Sequence, residues 1–279
     1  MSREAAKPLI VCCLVVAGCA SLGPLSPLRP VERSLLFHPA AWPQGEWEPD
    51  GLTPEDAWFT AADGTRLHGW YVDHPEPRGV ALLCHGNAGN ISGLAETLQI
   101  LNQRHGLAVL AFDYRGYGRS EGKPSEAGIL QDARAARTWL ARRAGVAESD
   151  VTLMGVSLGG GVAVDLAQDG ARGLVLASTF TSLPAAAKHH FSWLPTGSMM
   201  TFRMNSLEKI RNYPGPVLIS HGDADEVIPF AHGQQLYEAA PGEKTFFRVP
   251  GGHHNDPQPE EYRVAFDAFL ERLPPMSRR

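Results

Sequence analysis

The sequence has no long run of basic residues, no evident internal repeat and no HExxH metal-binding motif. Its 25 lysines and arginines stand against 30 acidic residues, which gives a formal net charge of −5. Nucleic acid is therefore excluded as a partner, since its binding needs a basic surface. A hydrophobic content of 43% over 279 residues describes an ordinary globular protein with one large domain rather than a disordered or fibrous chain.

The sequence also lacks an apolar run long enough for a membrane-spanning helix. The run at residues 9 to 17 follows the basic residues Arg3 and Lys7 and is shorter than the about 20 residues that such a helix needs. It predicts an export signal. Its end, Val16-Ala17-Gly18-Cys19, resembles the lipobox of bacterial lipoproteins, in which the cysteine is lipidated and becomes the first mature residue. An ordinary secretory signal cleaved near this point is the alternative.

Cysteine is scarce, with four in the whole sequence. Cys12 and Cys13 would leave with the signal peptide, and Cys19 would carry the lipid. Only Cys84 would remain, so we expect no intramolecular disulfide in the mature chain. Because Cys84 lies in the apolar run GVALLCHG, we expect a small core residue there rather than a reactive thiol.

These features divide the chain into a signal peptide at residues 1–18, a proline-containing tether at 19–30 and a folded domain at 31–279. Cys19 is followed by Ala20 rather than an aspartate, which by analogy with lipoproteins of Gram-negative bacteria permits transfer to the outer membrane. We therefore expect a protein of the bacterial cell envelope, anchored through lipid on the periplasmic side of the outer membrane.

The folded domain alternates short apolar runs with segments of helical period. It begins with AWFTAADGTRLHGWYVD, which predicts a hairpin around the Asp63-Gly64 turn. The alternation that follows is typical of an α/β fold, here a mostly parallel sheet of about eight strands with helices on both faces. The connection at residues 180–212 is longer than a single crossover between two parallel strands requires, and we expect a small lid there. Strands are predicted at residues 79–84, 107–112, 151–156, 173–177, 216–220 and 244–250, and helices at 125–143, 232–240 and 259–273.

Ser157 lies between two glycines in the segment VTLMGVSLGGGVAVDLA. A short apolar strand precedes it and a helix of small residues follows, which is the context of a nucleophile elbow. Gly155 and Gly159 then have a steric reason to be glycine, because that turn leaves no room for side chains. The alternative is a glycine-rich turn that holds an idle serine.

Polar residues and glycines follow the other predicted strands. Because ligands of such sheets meet the carboxyl ends of the strands, we expect these residues to lie near Ser157. A serine, an acid and a histidine thus occur in the chain order that serine hydrolases of this architecture use. The segments after the strands begin at His85 (HGNAGN), Asp113 (DYRGYG), His221 (HGDAD) and Gly251 (GGHHND).

Five motifs, HGNAGN, DYRGYGRSEG, GVSLGG, HGDADEVIPFAHG and GGHHND, together resemble the α/β hydrolases. The similarity is to their serine-aminopeptidase-like and membrane-associated depalmitoylase-like branch, and it covers residues 31 to 273. It implies the α/β-hydrolase fold, a serine nucleophile at Ser157, and neither a metal nor an organic cofactor.

Acyl transfer from a serine requires a histidine as base and a carboxylate that orients it. Two acids compete, and the fifth position of the matched His-Gly-x-x-Asp motif selects Asp225 over Asp223. Two histidines compete as well, and the pattern ending His-Asn-Asp selects His254 over His253. The resemblance thus implies the triad Ser157, Asp225 and His254.

The oxyanion of the reaction needs preorganised donors, for which we expect the backbone N–H groups of Asn87 and Leu158. The predicted function is a serine hydrolase that cleaves an acyl ester or thioester. Its substrate would be a small molecule or an acylated protein, and palmitate is one acyl group that it would release. An envelope serine aminopeptidase and a catalytically inactive, hydrolase-like binding lipoprotein are the alternatives. The oligomeric state does not follow from the sequence.

Overall fold

A computed structural model describes residues 29 to 277 of the chain. The predicted signal peptide, the predicted lipidation site Cys19 and the tether up to residue 28 lie outside the described residues. In the described part, no helix is both long and apolar enough to cross a membrane. The first element within the described residues is a helix at Arg29–Leu36, so the last two residues assigned to the tether are helical. Pro30 is compatible with this helix because proline is tolerated in a first turn.

The centre of the molecule is an eight-stranded sheet. Its order is β10-β9-β8-β7-β4-β6-β3-β2, with β2 and β3 antiparallel to their neighbours and all other pairs parallel. This confirms the predicted mostly parallel sheet and the hairpin. The two remaining strands, β1 and β5, form a short parallel pair apart from it. The strands are β1 (His38–Pro39), β2 (Glu55–Thr60), β3 (Arg66–Val72), β4 (Gly79–Cys84), β5 (Ala88–Gly89), β6 (Leu107–Phe112), β7 (Val151–Val156), β8 (Gly173–Ala177), β9 (Val217–Gly222) and β10 (Lys244–Val249).

Helices cover both faces of the sheet because its central strands are apolar on both sides. In β4, Leu82 packs into one core with Ile129, whereas the next residue, Leu83, packs into the other with Phe269. The α-helices are α1 (Arg29–Leu36), α2 (Ala95–Gln99), α3 (Glu126–Ala144), α4 (Leu158–Leu166), α5 (Leu183–His190), α6 (Thr196–Met199), α7 (Ser206–Ile210), α8 (Ala231–Ala239) and α9 (Glu260–Arg272).

Helix α3 shows how local sequence sets an element's limits. Ser125 caps its start by accepting a hydrogen bond from the Gly128 N–H. Gly145 ends it in the left-handed conformation, with a φ of 68°, which glycine adopts without a Cβ penalty. These signals agree with the helix predicted at 125–143.

The segment between β8 and β9 contains the three short helices α5, α6 and α7. It corresponds to the predicted lid at residues 180–212. Helix α5 begins at a serine cap, since Ser182 accepts a hydrogen bond from the Ala185 N–H, and Pro184 lies in its first turn. The helical segment at 91–104 and the pairing of β1 with β5 were not predicted from the sequence.

Arg115, just after β6, connects three parts of the fold. Its guanidinium donates hydrogen bonds to Asp132 on α3 (Nη2 to Oδ1, 2.8 Å) and to Asp63 in the hairpin turn (Nη1 to Oδ2, 2.7 Å). Asp132 is fully buried, whereas the Asp63 side chain is 41% exposed. Breaking a buried pair leaves an uncompensated charge, so the two carboxylates should differ in their contribution to stability.

We expect Asp132→Asn to lower the free energy of unfolding by about 3 kcal/mol. The matched change Asp63→Asn should cost much less, because water replaces an exposed partner. Urea denaturation of both variants measures the difference. Equal costs would contradict this account of the Arg115 cluster.

Candidate active site

A sharp turn between β7 and α4 presents Ser157. Its φ of 52° and ψ of −116° fall outside the usual regions for a residue with a side chain, at a cost of about 1–3 kcal/mol. The Thr179 hydroxyl holds the turn by donating to the Ser157 carbonyl (2.7 Å). Glycine is required on both sides, because a Cβ at Gly155 would overlap the Gly159 carbonyl and a Cβ at Gly159 would overlap that of Cys84.

His254 connects Ser157 to Asp225. Its Nε2 lies 3.1 Å from the Ser157 Oγ, and its Nδ1 lies 2.8 Å from the Asp225 Oδ2. The three residues follow or end strands β7, β9 and β10, whose carboxyl ends meet at one edge of the sheet. The arrangement is a hydrogen-bonded series of carboxylate, imidazole and hydroxyl, which is the geometry that activates a serine.

The Asp225 carboxylate is buried and held by four groups. Its Oδ1 accepts hydrogen bonds from the N–H groups of Val227 (2.9 Å) and Ile228 (2.8 Å), and His221 Nε2 lies 3.3 Å from its Oδ2. Burial opposes ionisation, but the hydrogen bonds from His221, His254 and the Ile228 N–H outweigh it and hold the pKa of Asp225 below its ordinary value. Asp225 therefore stays charged beside the imidazole.

The competing acid and histidine have other partners. Asp223 accepts hydrogen bonds from the Arg248 Nε (2.7 Å) and the Gly251 N–H (2.6 Å), which lower its pKa. The ring of His253 is 60% exposed and contacts Glu226 at 3.0 Å. Of the pairs that the sequence left open, the structure thus brings Asp225 and His254 to Ser157.

Leu158 and Asn87, the candidate oxyanion donors, line the same cavity as Ser157. Leu158 is the first residue of α4, and the first N–H groups of a helix have no partner within it. The loop of Asn87 is fixed, because its carbonyl accepts hydrogen bonds from the His38 N–H (2.9 Å) and the Tyr117 hydroxyl (2.7 Å). Both amides therefore lie on rigid backbone beside the serine.

An apolar cavity of about 450 Å³ extends from Ser157 between α1 and the lid helices α5 and α6. It has the size and character of a small-molecule site. Its acidic lining residue is Glu32, and its other polar contributions come mainly from Asn87, His190 and Thr196. The apolar lining consists of Val31, Leu35, Leu36, Leu158, Phe180, Leu183, Ala186, Ala187, Phe191, Leu194, Met199, Met200, Phe202, Val227 and Ile228.

The contribution of α1 to this cavity was not predicted from the sequence. Glu32 attaches the helix to the lid, since its carboxylate accepts hydrogen bonds from the Thr201 N–H (2.9 Å), the Thr201 hydroxyl (2.7 Å) and the Phe202 N–H (3.2 Å). The signal was the spacing of Val31 and Leu35, four residues apart and thus on one helical face. This helical spacing was overlooked because Pro30 was assigned to the tether.

His85 and Asp113 form a buried pair beneath the Asn87 loop. The His85 Nε2 lies 3.8 Å from the Asp113 Oδ1, and burial lowers the pKa of His85 to about 4. Burial raises the pKa of Asp113 to about 7, although a hydrogen bond from the Ile91 N–H opposes this. Within residues 29–277, no three His, Cys, Asp or Glu side chains are grouped to hold a metal ion.

Comparison with known proteins identifies the family. The family model "Serine aminopeptidase, S33" matches residues 75–212. An uncharacterized protein of Mycobacterium tuberculosis is 37% identical over 98% of this chain and 96% of its own length. The α/β-hydrolase domain-containing protein WAV2 of Arabidopsis thaliana is 35% identical over 82% of each chain. The chain belongs to the α/β-hydrolase family.

Solved structures agree with the fold of this hydrolase. The esterase Pf2001 of Pyrococcus furiosus superposes with a TM-score of 0.68 and covers 85% of this chain and 98% of its own, at 21% identity. The predicted resemblance and fold class are therefore confirmed, and the family supports hydrolase activity.

The raised pKa of Asp113 predicts a pH dependence of the hydrolase's stability. Between its ordinary value of 3.8 and about 7, the folded state holds a proton that the unfolded state releases, so stability should fall as pH rises through this range. The slope is at most about 1.4 kcal/mol per pH unit. Asp113→Asn keeps an acceptor for the Ile91 N–H but cannot titrate.

Urea unfolding of the wild type and Asp113→Asn at a series of pH values checks this prediction. We expect the wild type to lose stability relative to the variant as pH rises. Parallel stability curves would show that Asp113 titrates normally in the folded state.

Proposed function

We propose that this hydrolase cleaves a long-chain acyl ester or thioester through an acyl-enzyme on Ser157. The observation that supports the proposal is the hydrogen-bonded series from Asp225 through His254 to Ser157, which opens onto an apolar cavity of about 450 Å³. A nucleophile, its base and a pocket for an apolar acyl group are thereby within reach of one another.

In the first step, the Ser157 Oγ attacks the acyl carbon while the His254 Nε2 takes the Oγ proton. Negative charge develops on the former carbonyl oxygen, where the N–H groups of Leu158 and Asn87 are the proposed donors. Loss of one such donor typically costs about 10²- to 10³-fold in rate. The intermediate collapses to the acyl-enzyme as His254 returns the proton to the departing alcohol or thiol.

In the second step, His254 removes a proton from a water molecule, which attacks the acyl carbon. The bond from that carbon to the Ser157 Oγ then breaks, and His254 Nε2 returns the proton to the Oγ as the carboxylic acid leaves. Asp225 remains ionised throughout, since its hydrogen bonds keep its pKa low. It stabilises the imidazolium and keeps the Nδ1 proton in place, so that Nε2 is the free base in the resting enzyme. The protonation state of Ser157 at the end equals that at the start.

The cavity favours an acyl group over a peptide amino terminus. A charged amine would need an unoccupied carboxylate, and the acidic side chain among the lining residues is Glu32. Its oxygens already accept hydrogen bonds from Thr201 and Phe202. An ester or thioester needs no such partner, which is why we rank the aminopeptidase second.

We also propose that the enzyme works in the bacterial envelope, lipid-anchored through Cys19 to the periplasmic side of the outer membrane. The lipobox-like end of the N-terminal segment, Val16-Ala17-Gly18-Cys19, supports this. A membrane location would place the enzyme beside acylated substrates of low water solubility.

Fluorophosphonate labelling of the full-length protein tests the nucleophile. Ser157→Ala should abolish labelling and lower hydrolysis of nitrophenyl esters by about 10⁴- to 10⁶-fold, because the triad acts as a unit. Ser192→Ala, at an exposed serine of the lid, is the matched control and should behave like the wild type. Turnover should rise with acyl-chain length to a maximum.

A folded protein that neither labels nor turns over any ester would contradict the proposed hydrolysis and favour the binding-lipoprotein alternative. Labelling that persists in Ser157→Ala would assign the nucleophile to another residue.

The two aspartates after β9 give a second test. Asp225→Asn should lower kcat by about 10⁴-fold, since the imidazole then loses its orienting acceptor and correct tautomer. Asp223→Asn removes an acceptor of Arg248 at the surface and should leave kcat within about threefold of the wild type, because exposed pairs contribute little. Steady-state kinetics on one nitrophenyl ester compares them, and a reversed order would overturn the assignment of the acid.

A further inference from the structure

Large apolar side chains are exposed around the mouth of the cavity. Val31 and Leu35 on α1 are 56% and 65% exposed, and Phe191 and Trp193 after α5 are 42% and 78% exposed. Val31, Leu35 and Phe191 all line the cavity, and Trp193 lies between the lining residues Phe191 and Leu194. We call these four side chains the apolar rim. Clustered exposed apolar residues of this kind mark interaction sites.

The rim is joined into one surface although its residues come from distant parts of the chain. Glu32 of α1 accepts hydrogen bonds from Thr201 and Phe202 of the lid. Glu126 on α3 accepts two more from the same lid segment, from the N–H groups of Arg203 (2.7 Å) and Met204 (2.9 Å). Both halves of the rim are therefore fixed relative to the cavity.

The charges beside the rim are of opposite sign to those of the whole protein. Residues 183–204 contain Lys188 and Arg203 but no aspartate or glutamate, in a chain of net charge −5. On α1, the Arg29 guanidinium adds a third cation 5.3 Å from the centre of the Phe202 ring, which lines the cavity. The nearby carboxylates of Glu32 and Glu126 are occupied by lid N–H groups. Cations around exposed aliphatic and aromatic side chains are the pattern of a surface that binds anionic lipid.

We propose that the apolar rim docks on an anionic phospholipid bilayer, with the mouth of the cavity turned toward the membrane. The tryptophan supports this partner, since Trp193 is the most exposed of the large apolar side chains within residues 29–277 and tryptophan prefers the membrane interface. The inference goes beyond the proposed hydrolysis, because docking needs no intact triad.

The short distance in sequence between the rim and the predicted lipidation site also supports the bilayer as the partner. Helix α1 begins at Arg29, and nine residues separate it from Cys19. A lipid at Cys19 would hold α1 within about 35 Å of the bilayer even if the connection were fully extended. Docking through the rim then adds a second membrane contact to the single anchor, and stable attachment generally needs two such signals.

Docking in this orientation has a consequence for substrate entry. The cavity between α1 and α5 would open directly to the acyl-chain region, so an acyl chain could pass from the bilayer toward Ser157 without crossing water. As the acyl chain leaves the bilayer, it loses contacts with neighbouring lipids. Contacts with the exposed rim side chains would replace the first of these.

Fluorescence quenching by brominated lipids tests the proposal on the full-length chain carrying Ser157→Ala, which prevents lipid hydrolysis. The protein is reconstituted into vesicles of brominated phosphatidylcholine and phosphatidylglycerol. We expect strong quenching, most of which is lost in Trp193→Phe. Trp58→Phe is the matched control, at an exposed tryptophan of the edge strand β2, and should keep the quenching.

The charge requirement is tested in the same vesicles. Lys188→Gln should weaken docking about fivefold, the effect of removing one cation near anionic lipid. Arg142→Gln, an exposed cation at the far end of α3, should change nothing. Vesicles of phosphatidylcholine alone should show weaker quenching than those with phosphatidylglycerol.

Unchanged quenching in Trp193→Phe would overturn the proposal. An aqueous quencher gives a second way to overturn it. If the protection of Trp193 from that quencher rises with protein concentration and not with lipid, the rim is covered by a second copy of the chain. Ester hydrolysis by the protein with an intact Ser157 is measured separately, so failure of docking and failure of the proposed reaction are distinguishable.

Discussion

The close approach of α4 to β4 and β7 is the constraint on which the site depends. Gly155 and Gly159 bring the backbones together where no Cβ would fit, with Gly159 against the Cys84 carbonyl. This forces Ser157 into a left-handed turn with a φ of 52°. The cost of that conformation is of the order of 1–3 kcal/mol, and the cores on both faces of the sheet offset it. The same turn exposes the hydroxyl and places the first N–H of α4 beside it.

The rest of the site is arranged around this fixed point. His254 and Asp225 come from loops after β10 and β9, whose positions are set by the parallel sheet. The carboxylate is buried but remains ionised because hydrogen bonds from His221, His254 and backbone N–H groups outweigh its desolvation. A negative charge is thus held in the interior beside His254, whereas Asp223, two residues earlier, accepts hydrogen bonds from Arg248 and from the Gly251 N–H.

In this hydrolase, α1 and the lid together shape the cavity beside Ser157. Glu32 links them through hydrogen bonds to lid backbone, so the N-terminal helix becomes a wall of the cavity. The predicted membrane anchor leads directly into that helix. The cavity and the exposed apolar rim therefore share α1, which is the physical basis for both proposals.

The sheet, the nucleophile elbow and the chain order of Ser157, Asp225 and His254 could all be predicted from the sequence. These depend on local signals: short apolar runs, glycines at steric contacts and motifs after each strand. The motif after β10 already selected His254 over His253, and the tertiary structure shows the reason: His254 contacts Asp225 and Ser157, whereas His253 is exposed beside Glu226. The role of α1 became evident only in the tertiary structure, because an eight-residue helix has too little stability of its own to be predicted from local sequence. The sequence pattern of α1 can be interpreted only once the lid is in place, because the lid supplies the surface against which Glu32 and Leu36 pack.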